Sequence, residues 1–314
     1  MLNMAKLSVS VIICSYNPKK KYLDRTLSAL NHQGLNKSQW ELLLVDNNSD
    51  TALSETYNLS WHPNAKHVVE KKQGVTAARL RGISEAKGEL LIFVDDDNIL
   101  SEDYLEIACS IADNNPDIGA FGGSIKPEFK VDPEPKLLKY TGKLALRTIE
   151  EDKITNSYSD PQPYGAGLAI RKEIATTYAE SIKGTMRESL LGRVGQSLGS
   201  AQDIDLAYTS IDMGYNNGLF TALELIHIMP RERLNLDYLS KIRFGINYSG
   251  MLLRFFRFDE KPPKPYPFGI RRIKHLLKKV TMSKIEYTMY MASEEARKKF
   301  FDTINKLEAN KDNE

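Results

Sequence analysis

Residues 89–98 read Glu-Leu-Leu-Ile-Phe-Val-Asp-Asp-Asp-Asn. The apolar run Leu90–Val94 is too short for a helix and suits a strand covered on both faces. It breaks at once into Asp95, Asp96 and Asp97, three like charges at the end of a buried element. The same design recurs upstream. Leu7–Cys14 is an apolar run closed by Ser15-Tyr16-Asn17-Pro18, and Glu41–Val45 is closed by Asp46-Asn47-Asn48-Ser49-Asp50. His67–Glu70 reads as a short further strand. Between these runs, Leu23, Leu27 and Leu30 recur at the helical period, and Gly74 opens a helix with Val75, Ala78, Gly82, Ile83 and Ala86 on one face. Strands alternating with helices of this length predict parallel βαβ units. In such sheets ligands bind beyond the carboxyl ends of the strands. Tyr16, Asp46 and Asp95–Asp97 all fall at those ends.

Beyond Phe129 the signal thins. Val131–Pro135 and Asp160–Pro163 read as loops, Tyr164–Ile170 as a glycine-containing strand, and Arg187–Ser200 as a mobile Gly/Ser-rich stretch. Asp203–Met213 is a helix stopped by Gly214, and Leu219–Ile226 is a strand. From Arg231 the pattern is helical, with a Ser283-x-x-Glu286 capping box ahead of Met289, Ala292, Ala296 and Phe300. The expected division is an α/β domain over 1–230 and a basic helical extension over 231–314.

The whole chain has 314 residues, 41% of them hydrophobic, which excludes a disordered or collagen-like protein. Its 43 Lys/Arg against 41 Asp/Glu leave a net charge of +2, so no global charge points to nucleic acid. Local charge says more. Residues 241–284 hold twelve Lys/Arg and only Asp259 and Glu260 as acids, a net +10 that leaves −8 for the rest. Two cysteines, Cys14 and Cys109, build neither a disulfide framework nor a structural zinc site. They read as reduced core thiols, which suits a cytoplasmic protein. The first residues lack an apolar run followed by a cleavage site, so no signal peptide is expected. No uncharged apolar run reaches the eighteen residues a spanning helix needs.

Three adjacent aspartates repel one another, and a divalent cation offsets that repulsion. Oxygen donors of this kind suit Mg²⁺ or Mn²⁺. An N-cap cluster for a helix near Ser101 accounts for one of the three. Asp46 has two readings: an acceptor for a base N–H or a ribose hydroxyl, or an Asx-turn. Lys71-Lys72-Gln73-Gly74 leads into a helix N-terminus with Arg79 and Arg81 behind it. That is either a phosphate site or a solvated charged face. Gly165-Ala166-Gly167 begins like a dinucleotide fingerprint, but Ile170 stands where the third glycine belongs. In Gln202-Asp203-Ile204-Asp205-Leu206 the two aspartates cannot share a helix face. One of them facing a cleft is a candidate general base. His227, at the end of an apolar strand, is a structural hydrogen-bonder or an imidazole ligand beside a metal–phosphate site.

In order and spacing these segments resemble glycosyltransferase family 2, inverting sugar transferases of the GT-A fold. The resembling motifs are Val9–Asn17, Val45-Asp46-Asn47-Asn48-Ser49, the series Gly74, Ala78-Arg79, Gly82, Ala86 and Gly88, then Phe93-Val94-Asp95-Asp96-Asp97, and Gln202–Leu206. Together they span about residues 7–230. The resemblance implies a GT-A-type, Rossmann-like mixed sheet flanked by helices, with the nucleotide-sugar and catalytic sites in 1–230. It implies a nucleoside-diphosphate sugar as donor, uridine being the family's commonest base, and a glycan or lipid-linked hydroxyl as acceptor. By the same resemblance Ser15, Tyr16 and Asp46 line the nucleoside pocket, and Arg79 lies near the nucleotide. Asp95 and Asp96 sit at the donor, Asp96 reaching the ribose or diphosphate. Asp97 holds Mn²⁺ or Mg²⁺ with His227 approaching it, and Asp203 is the base. Gln202 departs from the family's usual Glu. The Q-x-x-R-W motif of processive members is absent, so transfer of a single sugar is expected, with 187–200 as a lid.

In the basic tail, Ile270, Ile273, Leu276, Leu277 and Val280 fall within an arc of about 120° on a helical wheel, opposite Arg271, Arg272, Lys274, His275, Lys278 and Lys279. That is the form of a helix lying on an anionic membrane surface. Arg254-Phe255-Phe256-Arg257-Phe258 adds aromatic anchors beside cations. The competing arrangement packs the apolar stripe onto the protein. Nucleic acid is not expected as a partner. Two rival functions are a sugar nucleotidyltransferase, which needs a Gly-rich first loop that Tyr16-Asn17-Pro18 replaces, and a non-catalytic nucleotide-sugar-binding or membrane-surface adaptor.

Overall fold

Val9, Val11 and Ile13 point to one face of a strand and Ile12 to the other, and all four are buried. A strand so covered must lie inside a sheet with helices on both sides. The computed structural model, which describes residues 8–195 and 199–311, has that arrangement. In chain order its elements are β1 (Val9–Ser15), α1 (Lys20–Asn31), β2 (Trp40–Asp46), α2 (Leu53–Thr56), β3 (Ala65–Val69), α3 (Val75–Glu85), β4 (Leu90–Asp95), β5 (Asn98–Leu100), α4 (Tyr104–Asn114) and β6 (Ile118–Phe129). There follow α5 (Pro135–Thr141), β7 (Lys153–Thr155), β8 (Leu168–Arg171), α6 (Lys172–Ile182), α7 (Met186–Leu190), α8 (Gln202–Asp212), β9 (Asn216–Met229), α9 (Leu236–Phe258), α10 (Phe268–Thr281) and α11 (Lys284–Lys311).

The chain forms two compact units. The first gathers the chain up to Lys130, Ala145–Glu188 and Gln202–Met229. The second gathers Val131–Leu144, Ser189–Ala201 and the chain from Pro230 on.

In the first unit a mixed sheet runs β3-β2-β1-β4-β8-β6-β9-β5, with β7 also on β9. The first four strands are mutually parallel, as their alternation with helices predicts. β8 then runs antiparallel to β4, and β5 antiparallel to β9. Ser15 pairs with Asp46, and Cys14 with Asp95, so three strands finish level with one another and their polar ends meet. One face of the sheet packs Val9, Val11 and Ile13 against Leu23, Leu27 and Leu30 of α1. The other packs Ile12, Leu43 and Phe93 against Ala78, Ile83, Ile174 and Leu206. Each fully buried Leu or Ile contributes roughly 1.5–3 kcal/mol. Burial also raises both thiols, Cys14 to about 12 and Cys109 to about 11, and both are free.

The Tyr164–Ile170 strand forms only from Leu168. Gly167 has φ of 74°, a left-handed conformation, and it keeps the preceding residues out of the ladder. Gly74 is the second glycine with a conformational task. Its φ of 131° turns the chain into α3.

In the second unit α9 and α11 pack together. Met289, Ala292, Ala296, Phe300 and Ile304 form the buried stripe of α11. Ser293 Oγ accepts from Arg243 Nε at 2.8 Å and Asn247 Nδ2 at 2.9 Å across the helix pair. The Ser283/Glu286 capping box forms: Ser283 Oγ donates to Glu286 Oε2 at 2.8 Å, and Glu286 N–H donates back at 3.3 Å. Among the described residues no helix is long and apolar enough to cross a membrane.

Candidate active site

The three aspartates do not cap a helix. They form the tight connection from β4 to β5, and each goes a different way. Asp95, half-exposed, lies 3.6 Å from Arg79 Nη2. Asp96 accepts a hydrogen bond from Ser15 Oγ, which ties the end of β4 to the end of β1. Asp97 is buried, its Oδ1 3.3 Å from His227 Nε2. That approach is set by backbone pairing. β5 and β9 are antiparallel with Asn98 opposite His227, and Ile228 N–H donates to the Asp97 carbonyl at 2.9 Å.

Asp46 is buried at the end of β2. Its Oδ1 accepts from Ser49 N–H at 2.8 Å and its Oδ2 from Leu53 N–H at 3.0 Å. The Asx-turn is thus present, and a carboxylate has lone pairs for a further donor as well. Tyr16, just past β1, is 48% exposed.

The basic segment ahead of α3 separates into individual partners. Lys72 pairs with Glu188, whose carboxyl is held below its ordinary range mainly by that bond. Arg81 pairs with Glu85 at 2.6 Å on the surface. Arg79 alone turns inward, buried beside the Phe93 ring, and its Nη1 donates to Gln202 Oε1 at 2.8 Å.

Asp203 and Asp205 diverge, as their spacing requires. Asp205 is fully buried and takes a bidentate ion pair from Arg187 at 2.8–3.1 Å. Asp203 Oδ2 accepts from Gly165 N–H at 2.8 Å, and its Oδ1 from Ile204 N–H at 3.0 Å. A Cβ at position 165 would sit 2.4 Å from Arg79 Nη2, so any side chain there would displace the guanidinium. The Gly-Ala-Gly segment therefore packs a backbone between Arg79 and Asp203. The lid expected over 187–200 includes residues 196–198, which lie outside the described residues.

Three residues take roles that the sequence pattern does not assign to them. Buried Asn47 accepts from Gly74 N–H at 2.8 Å and donates to the carbonyls of Glu70 and Lys72, holding the turn into α3. Gly165 lies in the Gly-Ala-Gly segment and Arg187 opens the Gly/Ser-rich stretch, but their bonds to Asp203 and Asp205 show only in the structure.

The donors present fit a divalent cation in one way. Asp97 Oδ1 and His227 Nε2 lie 3.3 Å apart, close enough for one oxygen and one imidazole nitrogen to face the same cation. Among the described residues no group of three or more His, Cys, Asp or Glu side chains is placed to hold a metal by itself. A two-donor site of this kind needs phosphate and water oxygens to complete it.

The model of the glycosyl transferase family 2 matches residues 10–179, more than half of the chain. Glycosyltransferase AglE of Haloferax volcanii is 31% identical over 121 residues, 38% of this chain and 39% of that protein. Poly(ribitol-phosphate) β-N-acetylglucosaminyltransferase TarP of Staphylococcus aureus is 30% identical over 155 residues, 46% of this chain and 45% of its own. The chain thus spans less than half the length of these relatives. Among solved structures, mannosyltransferase PcManGT of Pyrobaculum calidifontis with GDP-Man and Mn²⁺ is similar with a TM-score of 0.54 at 18% identity, over 91% of this chain and 72% of that one. Residues 1–349 of S. aureus TarS in complex with UDP give 0.52 at 15% identity, over 96% and 92%. The fold is the GT-A type, and the chain belongs to glycosyl transferase family 2.

Proposed function

We propose that this protein transfers a single sugar from a nucleoside-diphosphate sugar, UDP first among the candidates, to a hydroxyl of a glycan or lipid-linked acceptor, with inversion. The observation that carries this reading is the meeting of Ser15–Asp96, Asp97–His227 and Arg79–Gln202 with Asp203 at the carboxyl ends of the central strands. The complexes of PcManGT with GDP-Man and Mn²⁺ and of TarS with UDP are consistent with that donor class.

In this reading Tyr16 stacks on the base, Asp46 and Asp96 accept from base or ribose donors, and Arg79 with Asp95 faces the diphosphate. Asp97 and His227 would hold Mn²⁺ or Mg²⁺, which would supply positive charge to the departing diphosphate. Asp203 takes the proton of the acceptor hydroxyl as its oxygen attacks the anomeric carbon. The bond from that carbon to the diphosphate oxygen breaks on the opposite face, through an oxocarbenium-like state. The two N–H donors on Asp203 fix its direction and leave lone pairs to receive the proton. The catalytic machinery lies within 1–230, and the basic segment 241–284 of the extension meets an anionic membrane surface at the cytoplasmic face. A non-catalytic adaptor would have no use for the orienting bonds on Asp203.

Thermal melts with UDP, GDP, dTDP and CDP, each with and without Mn²⁺, test the donor site. One nucleotide at about a hundred times its Kd stabilises by about 2.7 kcal/mol, and Asp97→Ala abolishes the metal-dependent part. No shift with any nucleotide defeats the reading. Asp203→Asn keeps that shift and lowers kcat by roughly 10²–10⁴-fold, measured as nucleotide release with acceptor.

A further inference from the structure

A helix of a water-soluble protein turns its apolar stripe inward. α10 does the reverse. Ile270, Ile273, Leu276, Leu277 and Val280 are 51%, 61%, 57%, 61% and 85% exposed. Its contacts with α11 lie on the side of Arg271 and His275, the two half-buried polar residues of the helix. Arg271, His275, Lys279 and the edge residue Leu276 line a cavity of about 420 Å³ with Tyr287 and Glu294 of α11. The His275 ring meets Tyr290 at 5.7 Å, and Lys274 Nζ lies 3.6 Å from the Tyr266 ring centre. Ile270, Ile273, Leu277 and Val280 are therefore presented outward, with Leu276 at the cavity's edge.

From these observations we infer that α10 is the element that rests on an anionic phospholipid bilayer, lying in its plane with the stripe in the headgroup–acyl boundary. The inference deepens the membrane part of the proposed function and is independent of its chemistry. Charge, length and the preceding segment fix the occupant. Residues 261–285 contain eight Lys/Arg and no acid, so the helix carries positive charge on both flanks of the stripe. A second copy would set that charge against itself, whereas a bilayer supplies anions and an apolar layer together. The helix has 14 residues, about 21 Å, which is too short to span and long enough to lie flat. Pro262, Pro263, Pro265 and Pro267 precede it, a stiff leader that sets the helix off from α9. The aromatic anchors expected at Phe255–Phe258 are not part of this surface. They are half-buried, and the Phe255 ring packs on the buried Phe300 at 6.0 Å.

The test is co-sedimentation of the full chain with vesicles of equal parts phosphatidylglycerol and phosphatidylcholine, and with phosphatidylcholine alone. The wild type binds the first, does not bind the second, and is released by salt. Ile273→Gln with Leu277→Gln, and separately Lys264→Gln with Lys278→Gln, each weaken binding roughly tenfold or more. All four positions are exposed, so the helical circular dichroism and the nucleotide-dependent thermal shift stay unchanged. The inference is overturned if the wild type ignores anionic vesicles, as it would were the occupant an acidic protein. It is overturned equally if the Ile273/Leu277 variant binds like wild type, or if sedimentation shows a dimer that this variant dissolves. Vesicle binding without any nucleotide shift would instead defeat the transferase reading and leave α10 in place.

Discussion

Gln202 gives the buried Arg79 guanidinium a neutral partner. Its Oε1 accepts from Nη1, while its Nε2 is buried with no hydrogen-bond partner among the described residues. Arg79 therefore keeps its positive charge for Asp95 and for an incoming anion. Gln202→Glu places a second anion against that guanidinium. The expected outcome is a UDP Kd about tenfold higher, equivalent to about 1.4 kcal/mol, read by calorimetry. An unchanged Kd would remove Arg79 from the diphosphate's surroundings. The Arg79–Gln202 contact is invisible in the sequence, where the two residues lie 123 positions apart.

At the scale of elements, the turn before β3 carries a titratable group that is structural. His62 is buried beneath Trp40 of β2, ring centres 4.0 Å apart, and its Nδ1 accepts from Asn64 N–H. Burial first, and Lys37 second, push its pKa down to about 4 from 6.5. The folded form thus disfavours the proton. Its stability is complete above pH 6.5 and falls by about 3 kcal/mol as pH drops to 4. His62→Phe removes that slope, and urea unfolding at both pH values measures the difference. Elements are unevenly legible in the sequence. β1, β2 and β4 announce themselves because their apolar runs end in polar turns. β5 is three residues long and exists only because β9 lies beside it, so the pairing that brings His227 to Asp97 has no local signature. The segment before β8 has the composition of a strand, and the left-handed conformation of Gly167 keeps it from being one. The periodicity of α10 gives its stripe, while the direction that stripe faces depends on contacts far along the chain.

At the scale of the molecule, the second unit is assembled from three stretches, two of which precede residue 230. A single cut at 230 therefore removes α9, α10 and α11 while leaving 131–144 and 189–201 without their own unit. The fragment 1–230 is expected to melt at least about 5 °C below the full chain and to bind a hydrophobic dye. An unchanged melting temperature would show that those stretches need nothing from the tail. Composition alone suggests an acidic body and a basic tail. It cannot reveal that the second unit borrows chain from the middle of the first.

β9 is the last strand to be synthesised, yet it sits between β6 and β5 in the sheet. His227 follows Asp97 by 130 positions, roughly ten seconds of translation. A ribosome stalled before that point would display a growing polypeptide whose aspartates have no imidazole to meet. The basic tail would still be unmade. Competence for the proposed chemistry would then arrive late and all at once, when the fourteen residues of β9 slot into place.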